Sequence, residues 1–401
     1  MGLKGNPGTA RLLNRRLVLN RLRHAGPMSR AELAGATGLS PAAVTLVTAE
    51  LMSEDLLVEG EHAVTSAGRR PVPLDINYTA RLAIGIKMTE HHLVGVLTDL
   101  STRVIRQETL AFDNVTPESV VNAAARLVRS LAPSRDERAR LAGVGVGLPG
   151  LINTERGVVL ESYRLGWSEV PLASLLAQRL EVPVWIDNDV NAYGVAQHLF
   201  GHGRRTGTLA VVTVGRGIGA SLLINGRLHN GKRGAAAELG HVLVQEGGRP
   251  CECGRLGCLE AYASEPSMLA LWNERVAGVG EKTIDDFFAL AAAGDPDCTA
   301  VLHQAGHQLG LRMADMVNLL DPDLLVIGGE SVRFGPLLFD ALRAALAQRV
   351  FYKVPPLLIA EWGEDAWVRG AAALAIHRFF DFEAAAGLTS DIVRSTTRRA
   401  A

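Results

Sequence analysis

A small, mostly α-helical head with a β wing, joined to two related α/β lobes, is the architecture this sequence predicts, and three observations predict it. The chain has 401 residues, too many for one ordinary domain and enough for two or three. Its first 60 residues carry three helical patterns in close succession, whereas from Leu82 strand-like and helical runs alternate. Between the two regimes, Gly68-Arg69-Arg70-Pro71-Val72-Pro73 breaks every periodicity. The expected division is 1–75 for the head and its linker, 76–384 for the lobes, and 385–401 for a tail that lacks an apolar period and is expected to be mobile.

In the head, Asn14 to His24 reads as a helix with Leu17, Leu19 and Leu22 on its apolar face, stopped by Gly26-Pro27. Ser29 then caps a second helix. Glu32 stands three residues on as the capping-box partner, Leu33, Ala34 and Leu39 supply apolar contacts, and Gly38 marks the end. Ser40-Pro41 opens a third helix, because Ser is a good N-cap and Pro suits the first helical position; it runs through Val44, Val47 and Leu51 to about Asp55. Helix, helix, tight turn, helix is the helix-turn-helix pattern. Leu57-Val58 and Ala63-Val64-Thr65, around Gly60-Glu61, are expected to pair as the wing.

Beyond the boundary, β-rich runs fall at 82–88, 92–98, 141–147, 183–187, 208–214, 219–224 and 324–328. Amphipathic helices lie between several of them, around 117–131, 171–180, 191–200, 300–320, 335–350 and 367–380. A strand–strand opening followed by βα units occurs near 82 and again near 208. That repetition predicts two related lobes, the first about 80–200 with the C-terminal helix 367–380 and the second about 201–366.

Apolar residues make up 48% of the chain, enough for sizeable cores. A formal charge of −1, from 41 basic and 42 acidic residues, excludes both a uniformly basic nucleic-acid coat protein and a disordered acidic chain. Any polyanion site must be local, and residues 1–31 hold seven basic side chains with no acidic one. No run of about 18 apolar residues and no signal-peptide pattern is found, so a cytoplasmic protein without membrane contact is expected.

Three of the four cysteines, Cys251, Cys253 and Cys258, fall within eight residues, and His241 stands just upstream. One imidazole and three thiolates make a complete tetrahedral set for Zn²⁺, with no open position for water. The ion is expected to be structural. It would pin the loop that carries Glu238 and Glu260.

Those residues resemble a known signature. ELGH at Glu238–His241, followed by CECGRLGCLE at Cys251–Glu260, is similar to the motif of the ROK family of bacterial repressors and sugar kinases. Further matches are GVGLPG at Gly145–Gly150, DNDVN at Asp187–Asn191, GRGIG at Gly215–Gly219 and DPDLLVIGG at Asp321–Gly329. The resemblance spans about 82–376 and implies a pair of actin/hexokinase-like (RNase H-like) lobes closing on a sugar. It implies a ligand set of Gly150, Asn188, Asp189, Glu238, His241 and Glu260. Asp189 stands where kinase members place their general base, and His241 would join zinc on one ring nitrogen while facing the sugar with the other.

The same resemblance exposes a loss. Kinase members carry an Asp-x-Gly-x-Thr phosphate loop, and an ungapped alignment puts Lys87, Thr89 and His91 at those three places. Without the Asp there is no carboxylate to help hold Mg²⁺, and β-branched Thr89 removes the close backbone approach that phosphates need. In the second phosphate loop, Gly215-Arg216-Gly217, the bulk of Arg216 is expected to block a nucleotide. The expected protein is therefore no enzyme but a sugar-responsive repressor of carbohydrate metabolism genes; the alternative is an active zinc-containing, ATP-dependent sugar kinase carrying a DNA-binding domain.

The first 75 residues are also similar to the winged helix-turn-helix of ROK repressors, with GRRP at 68–71 as the linker signature. The third helix is expected to present Ser40, Ala42, Ala43, Thr45 and Thr48 to the major groove, while Arg11, Arg15, Arg16 and Arg30, upstream of it, are expected to bind phosphates. Arg69 and Arg70 are expected either to enter a narrow A·T-rich minor groove or to dock on the protein's own acids. A palindromic operator bound by a homodimer or homotetramer completes the expectation.

Overall fold

The computed structural model describes residues 7–60, 64–65, 68–69, 72–112, 114–276, 282–360, 363 and 365–382. The expected tail, Ala63 and Arg70 lie outside these. Among the described residues no helix is long and apolar enough to cross a membrane.

Three helices, Pro7–Ala25, Arg30–Thr37 and Pro41–Ser53, build the head. The first starts seven residues before Asn14, and its buried face is set by Val18, Leu19 and Leu22; Leu17, expected inside, is 45% exposed. The reason is period: residues 15, 18, 19 and 22 share one stripe, and Leu17 lies off it. The capping box is complete, with the Glu32 amide donating to Ser29 Oγ (3.3 Å) and the Ser29 amide to Glu32 Oε2 (2.8 Å). Gly38 ends the helix at φ 72°, and the Ser40 hydroxyl accepts from the Ala43 amide at 3.2 Å.

The wing differs from expectation. Leu57–Glu59 pairs antiparallel with Pro73–Ile76, whose other edge takes Met28–Ser29, while Val64–Thr65 pairs with Gly68–Arg69 in a separate short ladder. Leu57, Leu74 and Ile76 are all buried, so this pairing covers three apolar side chains that pairing within 57–65 would leave half open. Part of the expected linker is thus a strand, entered through a proline, which suits a strand's first position.

The two lobes repeat one topology. In the first, the sheet orders as Val104–Ala111, His92–Asp99, Leu82–Met88, Leu141–Leu148 and Val184–Asn188; in the second, as Arg227–Leu228, Ile218–Ile224, Thr208–Val214, Leu324–Gly328 and Leu357–Ile359. Three antiparallel strands are followed by two parallel ones in each. Val104–Ala111 was missed in the sequence because half its side chains are polar, and it alternates half-buried with exposed along its length.

Helix Ala366–Phe382 returns to lie on the first lobe's sheet. Gly85 and Gly145 make that approach possible: a Cβ on either would collide with the helix backbone, at Val368 and Ala371 respectively. The other side of this helix completes a core shared with the head, where Leu19, Leu33, Val44 and Leu51 cluster with Leu74, Ala372, Ile376 and Phe380. The head and the first lobe therefore share one buried surface.

Candidate functional site

Between the lobes lies a cleft of ≈ 570 Å³, and all six residues of the expected ligand set, Gly150, Asn188, Asp189, Glu238, His241 and Glu260, line it. Its first-lobe wall comes from the ends of parallel strands, the usual place for a ligand in α/β sheets. The turn after Leu141–Leu148 needs glycine at 150, because φ is 131° and a Cβ would press on the Glu161 carbonyl at 2.6 Å. Asn188 Nδ2 donates to the Gly150 carbonyl at 3.1 Å, and its Oδ1 accepts from the Val190 amide at 2.9 Å. Asn188 thereby caps the helix Asp189–Leu199 and clamps the turn. Beneath it, Asp187 is buried, accepting from Thr154 (2.8 Å) and Asn191 (2.9 Å), and burial raises its carboxyl above the ordinary range.

The second-lobe wall is organised by the loop that holds the cysteines. His241 ends a short 3-10 turn, Leu239–His241, and isolated bridges pair Leu243 with Cys258 and Pro250 with Leu256. The His241, Cys251, Cys253 and Cys258 ligand atoms all lie within 4.8 Å of one another. Cys253 and Cys258 Sγ are 3.8 Å apart, which is about the edge of a tetrahedron built on ~2.3 Å zinc–sulfur bonds. The His241 Nδ1 edge faces Cys251 Sγ at 3.7 Å. These four residues make a group able to hold a metal ion.

Glu260 opens the short helix Glu260–Ala263 two residues after Cys258 and is 7% exposed, its Oε2 accepting from the Ile218 amide at 2.9 Å. Glu238 is pushed above the ordinary carboxylate range by burial, with the neighbouring Glu260 charge adding to it. Two carboxylates, a carboxamide and an imidazole facing one cleft suit the directional hydrogen bonding of a polyol.

The opposite end of the cleft is occupied by the protein's own charges. Lys87, at the kinase Asp position, forms an ion pair with Asp189 Oδ2 and lies 4.3 Å over the Trp367 ring. Trp367 Nε1 donates to Glu330 Oε1 at 2.9 Å, and the Glu330 carboxylate rests where a Cβ on Gly215 would collide with it. In the adjoining turn the His91 and His92 amides donate to Thr89 Oγ1 at 3.3 and 3.1 Å, so they are turned inward. Arg216 lines the cleft and pairs with Glu252 at 2.9 Å, its side chain half exposed.

The network of Lys87, Asp189, Trp367 and Glu330 was not found from sequence. One signal was present: a lysine inside the apolar strand LAIGIKM needs a partner, since buried charges are seldom left alone. Its partner lies 102 residues away in sequence.

In the head, Ser40, Ala42 and Thr45 are exposed on the third helix and Ala43 half so. Thr48 is not available to a groove: it is fully buried, donating to the Val44 carbonyl at 2.9 Å. Leu46, 62% exposed, shares the outer face instead. Arg15 is also corrected, because it is buried and gripped by Glu54 at 2.8 and 2.6 Å. Arg11 and Arg30 sit in surface pairs with Glu50 and Glu59, and Arg16 faces a cavity against the lobes. Arg69 stands in the short ladder with Val64.

Comparison with known proteins matches the family model described as "ROK family" to residues 83–378. The xylose repressor of Caldicellulosiruptor bescii is 29% identical over 398 residues, covering 94% of this chain and 99% of that one. The crystal structure of a ROK family transcriptional regulator, a homologue of the Escherichia coli MLC protein, superposes with a TM-score of 0.83 at 26% identity, over 94% of this chain and 98% of the other. A ROK family glucokinase from Streptomyces griseus, solved with glucose and AMPPNP, gives a TM-score of 0.65 at 27% identity, over 74% of this chain and 99% of the kinase.

Proposed function

This chain belongs to the ROK family, and from that membership we propose that it is a transcriptional repressor of carbohydrate genes, acting in the cytoplasm, which binds DNA through its head and a sugar through its cleft. Likeness to the xylose repressor and to the ROK regulator extends over 94% of the chain and so includes the head, whereas likeness to the glucokinase covers 74%.

One observation carries the reading: Lys87 pairs with Asp189 at the phosphate end while the hydroxyl-binding groups Glu238, His241 and Glu260 line the other wall. A general base must be free to take a proton from the attacking hydroxyl, and Asp189 is held by an ammonium instead. Phosphoryl transfer rests on metal and phosphate positioning, which Lys87, Thr89 and Glu330 replace with internal contacts. The protein is a sensor with no phosphoryl-transfer role.

The four donors at 241–258 fit Zn²⁺, which when bound supplies a rigid, fully coordinated post and no Lewis-acid site. His241 would bind it through the Nδ1 edge and turn its other nitrogen to the sugar. Glu238 and Glu260, on either side of the ligands, would accept hydroxyl protons. Closure of the lobes on the sugar would shift the head through the core shared with helix Ala366–Phe382. Such a ligand acts only through different affinities for the two arrangements, and a change of about 5–150-fold in DNA affinity is an ordinary coupling. A two-fold symmetric protein would read a palindromic operator.

Calorimetric titration with xylose and glucose, beside a coupled ATP-consumption assay with the same sugars, tests the reading. One sugar should bind without ATP turnover, and Glu260→Gln should weaken it about ten-fold or more. Sugar-dependent ATP consumption at an enzyme's rate would establish the kinase reading in its place.

A further inference from the structure

Arg164 stands outside the ligand set, yet it lines the same cleft, carried in the first lobe between the strands Val158–Ser162 and Trp167–Val170. Only 16% of its side chain is exposed, and its buried Nε has no hydrogen-bond partner among the described residues. Glu252, between Cys251 and Cys253, answers its charge, with Oε2 at 3.7 Å from that Nε, too long for a hydrogen bond. Charge is thus balanced while donor capacity is left over, and a buried donor left unmade is costly.

The spare capacity faces a carboxylate from the other lobe. A Cβ on Gly217 would stand 2.7 Å from Glu260 Oε2 and 3.0 Å from Arg164 Nη2, so the two groups converge over one glycine. Glu260 is fixed there by the Ile218 amide, at 2.9 Å, and Arg164 pairs with Glu252 rather than with it. The rest of the lining is short of donors. The Glu238 and Glu260 carboxylates accept only, Asn188 spends its Nδ2 on the Gly150 carbonyl, and Lys87 and Arg216 are taken by Asp189 and Glu252. A hydroxyl has one proton to give and two lone pairs to fill, so a sugar surrounded by carboxylates needs donors as well.

We propose, on the reading of the cleft as a sugar site, that Arg164 is a further sugar-binding residue, donating to the oxygen of the hydroxyl whose proton Glu260 accepts. The planar guanidinium fork suits such directional donation. Because Arg164 comes from the first lobe and Glu260 from the second, one hydroxyl held by both ties the lobes together.

Calorimetric titration of the full chain with xylose, glucose and their monodeoxy derivatives tests this. For the sugar that binds, one monodeoxy derivative should bind at least about ten-fold more weakly, and Arg164→Ala should weaken the parent sugar by about the same factor. Discrimination against that same derivative should shrink at least about three-fold in Arg164→Ala and in Glu260→Gln alike, since both partners serve one hydroxyl. Metal content and thermal midpoint should stay those of the native chain. Arg164→Lys, which keeps a charge beside Glu252 but not the fork, guards against loss of the fold and should show the same reduced discrimination. An arginine that only braces the lobes would weaken the parent and every derivative alike. That result, or sugar binding unchanged in both Arg164 variants, would overturn the assignment and leave the sugar reading in place; a native chain that binds none of these sugars would overturn both.

Discussion

Lys87 shows how one side chain redirects a site. Its ammonium takes the place in which kinase members keep a metal-binding carboxylate, and it spends itself on Asp189, half-enclosed beside Trp367. Lys87→Ala strips a largely desolvated carboxylate of its counter-ion, so it should destabilise the protein by about 1–3 kcal/mol in denaturant titration. It should bring no ATP turnover, because Thr89 and Glu330 stay in place. Substituting Glu238 by Gln keeps its shape but loses a charged acceptor, and should weaken sugar about ten-fold while metal content, measured by elemental analysis, stays at one per chain. At this scale the sequence was most readable where chemistry is local. Four metal donors within 18 residues, and acids interleaved with them, announce themselves, whereas the contact of Lys87 with Asp189 brings a strand to the first residue of a helix 102 residues away.

Among the elements, the helix Pro41–Ser53 owes its start to the Ser40 cap and its orientation to the buried stripe of Val44, Val47, Thr48 and Leu51. Thr48 belongs to that stripe by period, which the prediction of a groove-facing hydroxyl overlooked. Thr48→Val should therefore leave operator affinity within about two-fold, whereas Thr45→Ala and Leu46→Ala, on the outer face, should each weaken specific binding by about 1–3 kcal/mol in competition with random duplex. Arg15 joins this helix to the first through Glu54, and Arg15→Ala should cost about 1–3 kcal/mol of stability, read by chemical denaturation. Caps and long amphipathic helices were legible because their determinants sit within one turn. The wing was not: strand Leu57–Glu59 has a choice of partners, and burial of Leu74 and Ile76, a tertiary effect, makes the choice.

For the whole molecule, the duplicated sheets position two walls, and helix Ala366–Phe382 packs between the first wall's sheet and the head, where a movement of that wall would reach the head. Two lobes were readable from the repeated strand–strand opening. The shared core was not, since it joins residues near 20 to residues near 380. Phe380, fully inside that core, is the joint, and Phe380→Ala should leave sugar binding intact while shrinking its effect on DNA. Cys253→Ser should release the metal and abolish the sugar response, because the loop carrying Glu238 and Glu260 loses its post. If one chain couples a sugar to DNA, fluorescence anisotropy of the full protein on its own upstream DNA, at fixed salt and over a panel of free and phosphorylated sugars, reads that coupling. Specific binding shifted about 5–150-fold by a free sugar is the predicted result. Specific binding that no sugar alters, or no specific binding at all, would contradict it.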